Sequence, residues 1–141
     1  MASNDTPKKS SVKRNRFVES LLWIGQVLLA IYFIAFGALP KFSGAPAQVE
    51  MFEDIGLGQW FRYFTGLCEL GGAIGLLIPM VGGLAALGLV GVMGGAALSN
   101  LFLITDATEG VVVNVVVAVP LLLIAWGRWP ETKRLPALLK R

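Results

Sequence analysis

Histidine is absent from the chain, and cysteine occurs only once, at Cys68. Without histidine the chain lacks the usual ligands of haem and catalytic zinc, and it has no imidazole general base. A single thiol excludes an intramolecular disulfide and a relay between two cysteines. No other spacing of residues resembles a metal-ligand cluster, so the sequence predicts a protein that holds no metal or cofactor by its own ligands.

Charged residues are also scarce, at 15% of the 141 residues, whereas hydrophobic residues make up 55%. A soluble domain of this size has a large surface relative to its volume and needs more charge to cover it. The mean hydropathy of +0.70 is instead typical of a chain surrounded largely by lipid. Composition therefore favours an integral membrane protein over a soluble or a disordered one.

Four apolar runs are each long enough to cross a hydrocarbon core of about 30 Å as a helix. They cover approximately residues 17–38, 59–80, 83–104 and 110–127. We predict an all-α membrane domain over 17–127, a bundle of four transmembrane helices between a disordered basic tail at 1–16 and a basic tail at 128–141. A cleaved signal peptide is the alternative interpretation of the first run, because basic residues precede it and small residues lie near its end.

Lysine and arginine are concentrated at the two ends of the chain. The two tails hold all of these residues except Lys41 and Arg62, while the loops after the first and third spans are acidic. By the positive-inside rule, we expect both termini in the cytoplasm of a bacterium and the acidic loops outside its plasma membrane. The net charge of +3 then reflects tails that face anionic lipid, so we expect no binding of nucleic acid.

The first outer loop has the pattern of a short amphipathic helix. Pro46 can occupy a first helical turn, and Gly56 a position just past the last one. Between them Val49, Phe52 and Ile55 recur at helical spacing. We expect a helix that lies at the outer membrane interface, with a plain ordered loop as the alternative.

Two pairs of glycines have the spacing at which helix backbones approach closely in lipid. Gly71 and Gly75 lie in the second predicted span, and Gly91 and Gly95 lie in the third. They predict either a tight hairpin within the chain or a homodimer through one of these two faces.

Three charged side chains fall inside the predicted spans, namely Glu19, Arg62 and Glu69. Glu19 lies near the inner end of its span, where it can pair with Arg16 or reach water. Glu69 follows Gln59 by ten residues, or about 15 Å along a helix, which puts it near the middle of the bilayer. A carboxylate there costs a few kcal/mol, so Glu69 needs either a partner or a function.

Each predicted helix contributes polar side chains that we place in the outer half of the bundle. The candidate ligand-binding residues are Arg62, Glu69, Gln26, Tyr32, Asn100 and Asn114. We predict a narrow cleft that opens outward, with Glu69 at its floor and Arg62 near its mouth. A structural hydrogen-bonded network that holds the helices together is the alternative. We expect Cys68 to serve packing.

Two sequence motifs follow one another in an order that resembles a known family, and the resemblance covers roughly residues 17–127. The first span ends in the segment Phe36-Gly37-Ala38-Leu39-Pro40-Lys41-Phe42. On the second, Arg62 leads into the segment Gly66-Leu67-Cys68-Glu69-Leu70-Gly71-Gly72. In this order the motifs resemble the DoxX and DoxX-like family of small four-helix membrane proteins.

That resemblance implies a four-helix membrane fold and a link to redox biology. The family is named from a subunit of an archaeal thiosulfate:quinone oxidoreductase. Other members resemble membrane partners in redox-stress complexes, and eukaryotic relatives act as assembly chaperones for membrane receptors. We therefore expect an accessory membrane subunit, not an enzyme on its own, that works with a redox protein and binds a quinone or a lipid headgroup between Arg62 and Glu69. A small proton-coupled transporter and an assembly factor are the alternatives.

Overall fold

The structure is a computed structural model that describes residues 14–104 and 108–140. Most of the predicted N-terminal tail, the first part of the second acidic loop and the last residue of the C-terminal tail therefore lie outside the described residues. The described chain is helical and contains no strand. Its helices are α1 (Arg16–Tyr32), a π-helical segment (Phe33–Ala38), α2 (Leu39–Ser43), α3 (Pro46–Ile55), α4 (Gln59–Leu76), α5 (Pro79–Leu103), α6 (Thr108–Thr132) and α7 (Leu135–Leu139).

Three helical stretches in the described chain are long and apolar enough to cross a membrane. They are the continuous stretch Arg16–Ser43, then Pro79–Leu103 and Thr108–Thr132. The second predicted span corresponds to α4, which is 18 residues long and is not among the three. Arg62 and Glu69 lower the mean hydropathy of α4, so length and composition alone do not identify it as a span.

Two helix boundaries differ from the predicted ones, and proline sets the first of them. The second span was predicted to end at residue 80, but α4 ends at Leu76 and α5 begins at Pro79. Proline has no N–H to donate and suits the first turn of a helix, so Pro79 starts α5 instead of closing α4. The fourth span was predicted to end at residue 127, but α6 continues through Pro130 to Thr132.

A π-helical segment interrupts the first long helix, and Pro40 explains it. Because Pro40 has no N–H, the carbonyl of Phe36 cannot receive an α-helical hydrogen bond from it. The helix widens over Phe33–Ala38, and the N–H of Leu39 donates to the carbonyl of Ile34, five residues back. Such π-helical turns are frequent at functional sites.

Two glycines with positive φ end the short helices of the outer loop. Gly44 follows α2 at φ 71°, and Gly56 follows α3 at φ 79°. Only glycine adopts this left-handed conformation without steric cost, so each stops its helix and turns the chain. Pro46 starts α3, and Phe52 is the residue that α3 buries.

The four long helices pack around one apolar core. The most extensive interface lies between α5 and α6, α4 packs on α5, and α1 contacts both α4 and α6. The core residues with the least exposure are Phe33, Ala73, Leu76, Ala86, Leu89 and Leu121. Many large apolar side chains face outward, such as Phe102 at 75% exposure and Trp126 at 81%. An apolar exterior over an apolar core is what contact with the lipid bilayer requires.

The predicted glycine pairs have different surroundings. A Cβ atom on Gly75 would lie 2.8 Å from the Cβ of Ala85, so this glycine lets α4 approach α5 closely. Gly71, Gly91 and Gly95 have no such neighbour within 4 Å. Within the chain, therefore, only Gly75 of these four serves close helix packing.

We expect Gly75→Ala to lower the melting temperature relative to Gly71→Ala in the same detergent. The new methyl group of the first variant overlaps Ala85, and overpacking of this kind costs about 1–3 kcal/mol, whereas the second variant projects into open space. Both substitutions change helix propensity equally, so their difference isolates the packing. Tryptophan fluorescence during heating measures it, and equal melting temperatures would contradict the observed contact between α4 and α5.

Candidate functional site

A cavity of about 480 Å³ lies between α4 and α5 and is covered by α3. Its walls are mainly apolar, with an aromatic side formed by Phe52, Phe61 and Phe64. Five polar side chains also line it, namely Lys41, Thr65, Glu69, Ser99 and Asn100. A mostly apolar pocket of ~300–1,000 Å³ with a few convergent polar groups is typical of a small-molecule site.

Lys41 and Glu69 form a buried ion pair at this cavity. The Lys41 Nζ atom lies 2.9 Å from Oε2 of Glu69, and it donates a hydrogen bond to Oε1 at 3.2 Å. Glu69 is only 4% exposed, and both of its carboxylate oxygens lie within contact distance of the Lys41 ammonium. The ammonium group offsets the cost of placing a carboxylate inside the protein.

Two glycines provide the space for this pair. A Cβ atom on Gly37 would lie 2.9 Å from Oε2 of Glu69, so only glycine leaves room for the carboxylate at this distance. On α4, a Cβ atom on Gly66 would lie 3.2 Å from the Cβ of Lys41. The two sequence motifs therefore meet in one place, with Gly37 and Lys41 from the first facing Gly66 and Glu69 from the second.

Arg62 lies behind Lys41 and does not line the cavity. It is 5% exposed; its Nη1 donates to the carbonyl of Lys41, and its Nε donates to Oε1 of Gln59 at 2.7 Å. Gln59 in turn donates to the carbonyl of Val49 at 3.2 Å. Arg62 therefore ties α2 to α4 and, through Gln59, joins α3 to α4, which positions Lys41 opposite Glu69.

The other predicted site residues are divided between several places. Asn100 lines the cavity and is 9% exposed, while Asn114 lies half-buried on α6 outside it. Tyr32 is half-buried beside the ring of Phe36 and does not line the cavity either. Of the six predicted residues, Glu69 and Asn100 line the cavity and Arg62 supports it from behind; Tyr32, Asn114 and Gln26 lie elsewhere.

Gln26 belongs to a second polar group at the other end of the bundle, which we call the inner cluster. It comprises Arg14, Glu19, Gln26, Arg128 and Glu131. Arg128 is 1% exposed and donates to Oε1 of Glu19 at 2.7 Å and to Oε1 of Gln26 at 2.8 Å. Arg14 bridges Glu19 at 3.0 Å and Glu131 at 2.9 Å. The side-chain amide of Gln26 donates to the carbonyl of Leu76, so α1, α4 and α6 meet here.

The inner cluster corrects the sequence-based interpretation of two charges. Glu19 was expected to pair with Arg16 or with water, but its partners are Arg14 and Arg128. Arg128 was counted in the basic cytoplasmic tail because the apolar run ends at residue 127. The helix continues to Thr132, however, and it carries Arg128 into the bundle. The sequence did contain one signal of this pairing. A carboxylate such as Glu19 within an apolar run needs a cation nearby, and Arg128 is such a cation.

Lys41 is the charged residue of the cavity that sequence reasoning missed, and Thr65 and Ser99 also line it without having been predicted. The first span was predicted to end at residue 38, which left Lys41 in a loop. The helical stretch instead continues to Ser43, so Lys41 follows Gly37 by one helical turn and reaches Glu69. Cys68 was expected to serve packing, and it lines the cavity. No group of three potential metal ligands occurs among the residues at 14–104 and 108–140.

We expect Lys41→Met and Glu69→Gln to destabilise the protein singly but much less in combination. Removing one partner leaves a buried charge uncompensated, at about 3–5 kcal/mol, whereas the double variant removes both charges. A double-mutant cycle of melting temperatures in detergent measures the coupling between the two side chains. Strictly additive losses would mean that the ion pair does not form.

A family model described as the DoxX-like family matches residues 24–126 of the chain. The matched range contains the residues of the cavity, including Lys41, Glu69 and Asn100, but neither Glu19 nor Arg128 of the inner cluster. No curated protein matches the chain, and no solved structure matches it.

Proposed function

The chain belongs to the DoxX-like family of membrane proteins, and we propose that its cavity binds the polar head of a lipid-soluble ligand at Lys41 and Glu69. The observation that carries the proposal is a largely apolar cavity with a buried ion pair in its lining. In this function the protein is an accessory membrane subunit that presents the ligand to a redox partner.

The chemistry of the polar groups favours a quinone among such ligands. The Lys41 ammonium, which lines the cavity, can donate to a ring carbonyl, and the Glu69 carboxylate beside it can accept from a ring hydroxyl. The aromatic side of the cavity matches a flat ring. An anionic lipid headgroup would use Lys41 but would be repelled by Glu69. A quinone therefore fits both members of the pair, and a headgroup fits one.

The residues present indicate which roles belong to the ligand and which belong to the protein. A bound quinone supplies the capacity to take up two electrons and two protons. The chain's own residues bind and orient it, exclude water from the cavity, and hold a proton at Glu69. Electrons come from a partner protein, so the proposed role of this chain is binding and positioning and not catalysis on its own.

We also propose that α4 crosses the membrane as the second of four spans. Its two charges do not face lipid, because Arg62 is 5% and Glu69 4% exposed, so the low hydropathy of α4 costs little in a bilayer. With four spans, both basic ends lie in the cytoplasm of a bacterium, and the acidic helix α3 lies at the outer interface of its plasma membrane.

Cysteine labelling tests this topology, because Cys68 is the only cysteine in the chain. In a Cys68→Ala background, we expect Glu53→Cys on α3 to react with a membrane-impermeant maleimide in intact cells. Lys133→Cys, just after α6, should react only after the cells are opened. Both positions are exposed, so the two variants are matched in accessibility. Labelling of both in intact cells would place both on the outer side, with an even number of membrane crossings between them, and would contradict the proposed three.

Ligand extraction tests the binding function. We expect a quinone to co-purify in mild detergent with the wild type and with Asn114→Ala, whose side chain lies outside the cavity. The quinone should be lost from Glu69→Gln and from the double variant Lys41→Met/Glu69→Gln. The double variant is informative because the proposed ion pair predicts that it stays folded. Mass spectrometry of the extracts identifies the ligand.

Other outcomes would replace the proposal. Equal quinone content in all variants would make the ion pair structural, and a bound phospholipid in place of quinone would identify a headgroup site. Proton-driven uptake of a cationic dye into vesicles, abolished by Glu69→Gln, would make the protein a transporter. Loss of another membrane protein upon deletion of this one, with Glu69→Gln harmless, would indicate an assembly factor.

A further inference from the structure

Besides the ion pair, one asparagine is built into the wall of the cavity. Asn100 of α5 lines the cavity and is 9% exposed. A Cβ atom on Gly110 of α6 would lie 2.6 Å from Nδ2 of Asn100, so glycine at this position leaves room for the amide. Gly37 leaves room for the Glu69 carboxylate in the same way. The packing of the helices therefore accommodates a buried amide as well as a buried carboxylate.

The amide of Asn100 has no hydrogen-bond partner among the residues at 14–104 and 108–140. None of the hydrogen bonds that their side chains make includes it. A buried amide without a compensating hydrogen bond costs free energy, and a leucine of similar shape would avoid that cost. In the wall of a cavity, however, an amide can bond to the molecule that the cavity holds. This observation points to a ligand and is independent of the ion pair.

Asn100 and the ion pair lie at different depths along the same cavity. Gly72 of α4 lies against Leu89 of α5, and the two helices run in opposite directions. This register brings Glu69 to about the level of Val92. Asn100 follows Val92 by eight residues, or about 12 Å along a helix. The cavity wall therefore has two separate polar positions.

The cavity wall near these two positions is mainly apolar. Phe61 and Phe64 contribute aromatic rings from α4, and Gly95 and Ala96 line the cavity from α5 without bulky side chains. A six-membered ring with an oxygen at each end, and a hydrogen bond of about 2.9 Å at each oxygen, has a length comparable to the separation of the two positions. Such a ring can bond at both positions at once, whereas a ligand with one polar group leaves one position unpaired.

We propose that Asn100 binds the second polar group of the ligand whose first polar group lies at Lys41 and Glu69. This inference rests on the proposed function and names the ligand class more closely: a ring with oxygens at opposite ends, as in a para-quinone. An asparagine amide donates to a carbonyl and accepts from a hydroxyl, so it suits both the oxidised and the reduced ring. Asn100 is then a specificity-determining residue that disfavours ligands with a single polar group.

Two variants test the amide and a third serves as the control. Asn100→Leu removes the amide with little change of shape. Gly110→Ala keeps Asn100 but places a methyl group where its amide lies, so the amide has to move. Asn114→Leu makes the same asparagine-to-leucine change on α6, at a position outside the cavity.

Two probes with the same ring methyl groups separate the two polar positions. Duroquinone has an oxygen at each end of its ring, whereas durenol, a tetramethylphenol, has a single hydroxyl. Cys68 lines the cavity and is the only cysteine in the chain, so its rate of reaction with N-ethylmaleimide reports occupancy of the cavity. The concentration of each probe that halves this rate is measured in detergent for every variant, with intact mass spectrometry as the readout.

For the wild type and Asn114→Leu, we expect duroquinone to halve the rate at a concentration about tenfold lower than durenol, because its second oxygen bonds to the amide. Asn100→Leu should raise the duroquinone concentration to that of durenol and leave durenol unchanged. Gly110→Ala should reduce the preference in the same direction. A tenfold preference that persists in both Asn100→Leu and Gly110→Ala would overturn the inference.

The melting temperature without ligand separates a binding role of Asn100 from a structural one. Because the amide lacks a partner among the described residues, we expect Asn100→Leu to melt at or above the temperature of the wild type. A clearly lower melting temperature would mean that the amide holds the helices together, and it would overturn the inference.

The remaining outcomes distinguish this inference from the proposed function. Protection of wild-type Cys68 by both probes at equal concentration would overturn the role of Asn100 while leaving the site at Lys41 and Glu69 in place. Protection by neither probe would overturn the proposed function and this inference together.

Discussion

The ion pair between Lys41 and Glu69 is the interaction on which the rest of the structure depends. A carboxylate buried among apolar helices requires a cation at contact distance, and here that cation comes from another helix. Pro40 and the π-helical segment continue the first helix far enough to supply it, and Gly37 leaves the space for the carboxylate. The pair lines the cavity, and α3 covers that cavity.

At both ends of the bundle a glutamate pairs with a cation from another helix, but the packing around the two pairs differs. In the inner cluster, Arg128 lies between Glu19 and Gln26 and the helices close tightly around it. Near Glu69, the glycines of α5 leave open volume beside the charges instead. The inner cluster therefore joins α1, α4 and α6, while the pair of Lys41 and Glu69 lines a cavity.

Much of the helical architecture could be predicted from local properties of the chain. The apolar runs indicated long helices, and Pro46 and Gly56 marked the helix in the first loop because proline and glycine impose their backbone preferences locally. Glu69 stood out as a candidate because its depth could be counted along α4. Lys41 and Arg128 could not be found in this way. Each lies just past the end of an apolar run, and only the continuation of its helix in space shows that it turns inward.

The sequence by itself therefore determined a helical membrane protein of the DoxX-like family, since hydropathy and motif order act along the chain. Only the tertiary structure decided which polar residues meet. It assigned Gln26 to the inner cluster, left Tyr32 and Asn114 outside the cavity, and placed Arg62 behind Lys41. The physical reason is that ion pairs form across helices, so they depend on helix rotation and relative depth. A π-helical turn or one additional helical turn changes both the rotation and the depth of the residues that follow it. Hydropathy along the sequence reveals neither kind of turn.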